Sequence, residues 1–154
     1  MRTWLASADE LPLAASLLGE FRDHYGRNTP TDAEFVQSVS RIATAGSGEY
    51  LLGTLSGDEA VGVVQLRYRW SIWTSSDDAW IEDVFVRESA RGAGLGRALM
   101  ELAMEQARER GCARIELDVD EANHAALALY RDLGFSAEIK AEKRSLMMGR
   151  RLEA

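Results

Sequence analysis

Cysteine is nearly absent: Cys112 is the only one in 154 residues. A single thiol forms no intramolecular disulfide and supplies no thiolate cluster for zinc, so neither a disulfide framework nor a metal centre is expected. Its setting, RERGCARIELDV, between a helix end and a strand start, reads as packing, since free cysteine is among the most buried residue types. Proline is scarce, with two in the chain; there is no low-complexity run and no internal repeat, so no linker divides the sequence. Long hydrophobic runs are missing too. LPLAASLLG, from Leu11, falls far short of the ~20 apolar residues that span a bilayer. The N-terminal MRTWLASADE places acids where a secretory leader would continue its apolar stretch, which points to a cytoplasmic protein. Positive charge is in deficit: 18 Lys and Arg against 25 Asp and Glu leave a net −7. That balance argues against nucleic acid and anionic membranes as partners, and is compatible with a cationic substrate.

What remains is an ordinary globular composition, 46% hydrophobic and 28% charged, read as one domain over residues 1–154. Residues 2–7 suit a short edge strand. Leu11, Ala14, Ala15, Leu18, Phe21 and Tyr25 recur at helical spacing, and Thr31 with Glu34 makes a capping box for a second helix over 31–45. EYLLGTLSG and EAVGVVQLRYRWSIW, broken by Gly57 and Asp58, predict a hairpin, and AWIEDVFV a further strand. Leu99, Leu102, Ala103 and Ala107 mark a helix ending at Gly111. ARIELDV alternates as a strand, a short helix fits 123–132 with Gly134 closing it, and two strands near 135–140 and 144–151 finish the chain. The order β-α-α-β-β-β-α-β-α-β-β predicts a mixed α/β (α+β) domain.

The segment VRESARGAGLGRALM sets Gly92, Gly94 and Gly96 directly before a helix. Glycines there let backbone N–H groups approach an anion, which the helix dipole also favours. A P-loop would need Lys-Ser or Lys-Thr after the last glycine; Arg97 and Ala98 stand there instead. A dinucleotide fingerprint needs glycine or alanine three places after Gly94, where Arg97 stands, and RESAR is no tight strand-to-helix turn. Arg91, Gly94 and Gly96 do fit Arg/Gln-x-x-Gly-x-Gly/Ala. With WIEDVFV upstream and EANHAALALYRDLGF downstream, the chain resembles the GNAT superfamily of acyl-CoA-dependent N-acyltransferases. The adjacent acids of WIEDVFV resemble the polyamine/diamine N-acetyltransferase branch.

The resemblance implies a mixed sheet of six to seven strands, splayed between the fourth and fifth and flanked by four helices. It implies acetyl-CoA as cosubstrate. Backbone N–H groups of Arg91, Gly92, Ala93, Gly94, Leu95 and Gly96 would cradle its pyrophosphate, with charge from Arg91 and Arg97. The edge Val84-Phe85-Val86 would hold the pantetheine arm like an added strand, chiefly through Val84 and Val86, and Asn123 would cap its helix or touch the cofactor. Tyr130, two turns after Asn123, is the implied acid for the departing thiolate.

Amide formation also needs a base. Glu82 and Asp83 stand in an otherwise apolar strand, where an acid is costly unless paired or hydrated. Glu82 is the first expectation for the base, acting through water; Asp83 is the second, for binding an ammonium. Pleating would send the two to opposite faces. On the acceptor side Glu20, Asp23, Tyr25 and Glu34 are candidates for meeting an amine, with His24 as a spare base. Tyr68 and Trp70 share a face and suit cation–π contact. Trp73 suits a homodimer surface. The expected activity is transfer of an acetyl group to a primary amine of a small molecule by direct attack in a ternary complex. A protein or peptide acceptor and a non-catalytic acyl-CoA sensor are the alternatives.

Overall fold

The computed structural model describes residues 1–137 and Arg150. The chain divides into two compact units, Met1–Asp120 and Glu121–Ala154. In the first unit β1 (Arg2–Leu5) is followed by α1 (Leu11–His24) and α2 (Asp32–Thr44). Then come β2 (Gly48–Thr54), β3 (Gly62–Ser71), β4 (Ser76–Val86), α3 (Leu95–Glu109) and β5 (Arg114–Leu117). The second unit contains α4 (His124–Asp132). No described helix is long and apolar enough to cross a membrane.

The five described strands make one sheet in chain order, β1-β2-β3-β4-β5. The first three pairings are antiparallel and β4–β5 is parallel, the mixed α/β architecture expected from the sequence. The two strands expected after residue 135 lie outside the described residues, apart from 135–137 and Arg150, which are not in a strand.

Each face of the sheet has its own cover. Tyr50, Leu52, Val63 and Phe85 pack in one cluster with Ala14, Leu17 and Leu18 of α1 and Val39 of α2. The α2 capping box forms as its sequence dictates: Glu34 N–H donates to Thr31 Oγ1 at 3.3 Å, and Thr31 N–H to Glu34 Oε2 at 2.7 Å. On the other face α3 buries Leu95, Leu99, Met100, Ala103 and Ala107. Gly53 and Gly62 sit opposite one another on β2 and β3. A Cβ at Gly53 would stand 2.8 Å from Leu95 Cδ1, and one at Gly62 2.9 Å from Leu99 Cδ1. This glycine pair therefore lets the first turn of α3 lie directly on the sheet.

Candidate functional site

The strand β4 changes character at Glu82. Leu66 pairs with Ile81 and Gln65 with Asp83, so Glu82 has no partner on β3 and forms a bulge. A bulge adds one residue to one strand and redirects the side chains beside it, so the unbroken pleat assumed from the sequence does not hold here. Glu82 is exposed, whereas Asp83 is half-buried on the face covered by α1 and α2.

The same strand loses its outer neighbour at that point. The β4–β5 pairing runs from Asp78↔Arg114 to Ile81↔Leu117 and stops, while β4 continues to Val86. Arg87 N–H donates to Val61 O at 2.9 Å. By strand alternation the main-chain groups of Phe85 also point to β3, and those of Val84 and Val86 point to the unpaired edge. Phe85 thus departs from the cofactor-edge expectation: its peptide serves the ladder, and its side chain, 6% exposed, belongs to the core. Arg91, though exposed, reaches back to the edge, its Nε donating to Val86 O at 2.9 Å.

Beyond β4 the chain turns through Gly92 (φ +76°) and Gly94 (φ +87°) into α3. Gly94 occupies the helix N-cap in a left-handed conformation that side chains resist. The first helical hydrogen bond runs from Ala98 N–H to Gly94 O, at 3.1 Å, so the Leu95 and Gly96 N–H groups point out of the helix start. An unpaired strand edge and a positively polarised helix end thus lie on consecutive segments of the chain. An amide-bearing arm tipped with phosphates matches that sequence of donors and acceptors.

On the α1/α2 face is a cavity of about 310 Å³, lined by Leu18, Phe21, Arg22, Tyr25, Arg27, Thr29, Pro30, Phe35 and Asp83. Asp83 is the one acid in this lining. Burial first, and then the neighbouring Glu82 and Asp118 charges, raise its carboxyl from 3.8 to about 6. It forms no ion pair with any described residue. Tyr50, 1% exposed, accepts a hydrogen bond from Gln65 Nε2 at 3.3 Å. Its hydroxyl is pushed up to about 12 by burial, with the Asp83 and Glu82 charges adding to this against the opposing charge of Arg67.

The other acids put forward for amine binding are engaged elsewhere. Glu20 grips Arg87 through both oxygens, at 2.7 and 2.8 Å. Asp23 pairs with Arg22 at 2.7 Å, and Glu34 completes the α2 cap. Tyr25 lines the cavity, with the exposed His24 ring 5.7 Å away. Trp70 does not. It shares the α3 face with Tyr68 and Asp77, 64% exposed, on the side of the sheet away from Asp83. Tyr68 is buried there, donating to Glu49 Oε2 at 2.7 Å beneath the Arg110 guanidinium. Cys112 lies near the start of β4; burial, and then the Asp77 charge, raise its thiol above the usual range, which suppresses the nucleophilic thiolate.

In the second unit Asn123 caps α4, its Oδ1 accepting from Ala126 N–H at 3.2 Å. Tyr130 is half-buried on α4 with its ring 6.0 Å from Phe135. No group of three His, Cys, Asp or Glu that could hold a metal ion occurs among the described residues. The sequence reading missed the bulge, the Tyr50–Gln65 pair behind Asp83, and Arg27. Tyr50 and Gln65 had a usable signal, since both fall on alternate positions of predicted strands.

The sequence pattern of the acetyltransferase (GNAT) family matches residues 14–135. A streptothricin acetyltransferase of Streptomyces lavendulae is 34% identical over 127 residues, covering 82% of this chain and 61% of that protein. A thialysine N-epsilon-acetyltransferase of Sus scrofa is 31% identical over 90 residues, 58% of this chain and 52% of that one. The chain thus spans less than two thirds of the length of these relatives. Among solved structures, an aminoglycoside acetyltransferase from an uncultured soil metagenomic sample superposes with a TM-score of 0.80. It covers 99% of this chain and 96% of that one at 16% identity, a likeness of fold alone.

Proposed function

This chain belongs to the GNAT acetyltransferase family, and from that premise we propose that it moves an acetyl group from acetyl-CoA to a primary amine of a small molecule by direct attack. The observation that carries this reading is Asp83: a carboxylate without a counter-ion among the described residues, set in a cavity beside an unpaired strand edge. Two relatives are named for streptothricin and thialysine, which fits a small-molecule acceptor. The family pattern runs unbroken across the boundary at residue 120, which supports one functional domain.

Acetyl-CoA supplies an activated thioester carbonyl, and the residues of this chain do the rest. The Val84 and Val86 main-chain groups bind the pantetheine amides, and the 91–96 turn, backed by Arg91 and Arg97, binds the pyrophosphate. Asp83, ionised at neutral pH, holds the acceptor ammonium and takes one of its protons, which frees the nitrogen lone pair to attack the carbonyl carbon. A base with a pKa raised toward the working pH is suited to that transfer. Exposed Glu82, next to Asp83 in the chain, adds negative charge for the cation and passes the proton to water. As the C–S bond breaks, the Tyr130 hydroxyl protonates the thiolate, and the second proton leaving the nitrogen restores that hydroxyl through solvent; the assignment rests on its place in the EANHAALALYRDLGF run. Asn123 serves chiefly as the cap of that helix. The proposed setting is the cytoplasm, and a homodimer would cover Trp73, which is 92% exposed.

The test is thiol release from acetyl-CoA against polyamines, diamines, amino acids, aminoglycosides and peptides. Release with a small amine supports the reading; release with peptides alone moves the acceptor to protein. Calorimetric binding of acetyl-CoA without release on any amine would favour a non-catalytic acyl-CoA sensor.

A further inference from the structure

The cavity that holds Asp83 also holds two guanidinium groups, and they are not equivalent. Arg22 is fully engaged: it meets Asp23 at 2.7 Å, Asp32 at 2.9 Å and Pro30 O at 2.6 Å. Its charge is neutralised and it serves to fasten α1 to α2. Arg27 has no carboxylate partner among the described residues. Its guanidinium carbon lies 5.9 Å from the Tyr25 ring. Arg27 is exposed at the rim of the cavity, so its guanidinium is free to meet an incoming anion.

We propose that the acceptor is a zwitterionic, amino-acid-like amine whose carboxylate is bound by Arg27 while its amine meets Asp83; this rests on the acetyl-transfer reading above. One uncompensated cation and one uncompensated anion line a single cavity. A molecule carrying the opposite charges satisfies both, whereas a polyamine would set a second ammonium against Arg27. A guanidinium offers paired donors in a fixed fork that matches a carboxylate. Phe21, Tyr25 and Phe35 provide apolar wall for the alkyl chain between the two charged ends. At about 310 Å³ the cavity is at the small end of ligand sites, which run from about 300 to 1,000 Å³, and so suits a molecule of amino-acid size.

The test compares matched acceptors that differ in one group: lysine, lysine amide and cadaverine; ornithine and putrescine; thialysine and its amide. Thiol release from acetyl-CoA is measured for the unaltered protein, Arg27→Gln and Arg27→Lys. In parallel, calorimetry measures binding of the same amines in the presence of CoA, which cannot react. The expected result is a preference for the carboxylated member of each pair, expressed in KM. Arg27→Gln should collapse that preference by about 10- to 100-fold, the worth of a charged hydrogen bond, and Arg27→Lys should restore part of it. Cadaverine or the amides performing as well as lysine, or Arg27→Gln weakening both members of a pair equally, would overturn the proposal, as would the absence of carboxylate-dependent binding in every pair. The two readings fail separately. Arg27-dependent binding without thiol release removes acetyl transfer and keeps the zwitterion site; transfer confined to amines without a carboxylate does the reverse.

Discussion

Replacing Asp83 by asparagine should make the protein more stable and nearly inactive, with the stability gain depending on pH. The unfolded chain releases the Asp83 proton near 3.8, and the folded chain near 6. Between those values the fold holds a proton that the unfolded chain has lost. Raising the pH through that window therefore costs folding free energy, and above about 6 the cost is constant. At about 1.4 kcal/mol for each pH unit, the upper bound is about 3 kcal/mol. Asp83 keeps some contact with solvent, which halves this to about 1–2 kcal/mol. Asp83→Asn removes the ionisation altogether. Urea unfolding should show the variant about 1–2 kcal/mol more stable at pH 8, with the gain vanishing near pH 4. In a thermal melt at pH 8 this is a rise of roughly 2–8 °C. Thiol release should fall by about 10²–10⁴-fold, the usual worth of a positioned base. A variant less stable than the parent at pH 8, or one whose stability follows pH as the parent's does, would show that the Asp83 carboxylate is already satisfied in the fold. The argument that it awaits a cationic ligand would then fail.

Three further outcomes follow from the same structure. Tyr130→Phe should lower kcat by about 10- to 1,000-fold and leave the calorimetric Kd for acetyl-CoA nearly unchanged; full activity would remove the hydroxyl from the mechanism. Gly94→Ala puts a side chain at φ +87°, a strain of about 1–2 kcal/mol. Because the added Cβ meets only Met1 Cε, at 3.6 Å, the effect should appear as weaker CoA binding, about tenfold, more than as unfolding in urea. Arg114→Ala should lower the urea midpoint, because it strips the buried Asp78 carboxylate of its partner. Asp78 is 3% exposed, its Oδ2 accepts from Arg114 at 2.8 Å, and its Oδ1 has no partner among the described residues. Asp78→Asn in the same chain should recover part of that loss.

Local chemistry made much of this fold readable. Thr31 and Glu34 announce the start of α2 because a capping box is satisfied within four residues. Leu99, Leu102, Ala103 and Ala107 announce α3 because they recur at the helical period, and all but Leu102 are buried in it. The acids at 82 and 83 stand out against an apolar strand. Pairing decides what sequence does not. The bulge at Glu82 exists only in the register of β4 against β3, and it leaves Glu82 exposed and Asp83 in the cavity, reversing the weight first given to them. Alternation correctly groups Tyr68 with Trp70. It cannot say which helices cover that face, and Trp70 lies on the α3 side, away from the cavity. Glu20 and Asp23 read as candidate amine ligands until Arg87 and Arg22 are seen to hold them. Arg27 reads as an ordinary loop arginine, and only the packing of α1 against α2 and β4 brings it to the same cavity as Asp83.

The central claim is direct transfer between two bound substrates, without an acyl-enzyme. Intact-protein mass spectrometry alongside thiol release, first with acetyl-CoA alone and then with an accepted amine added, tests it most directly. Direct transfer leaves the protein unmodified and releases no thiol above background until the amine arrives, then one thiol for each N-acetyl product. An acetyl adduct on the protein, formed from acetyl-CoA alone and discharged by the amine, would contradict it.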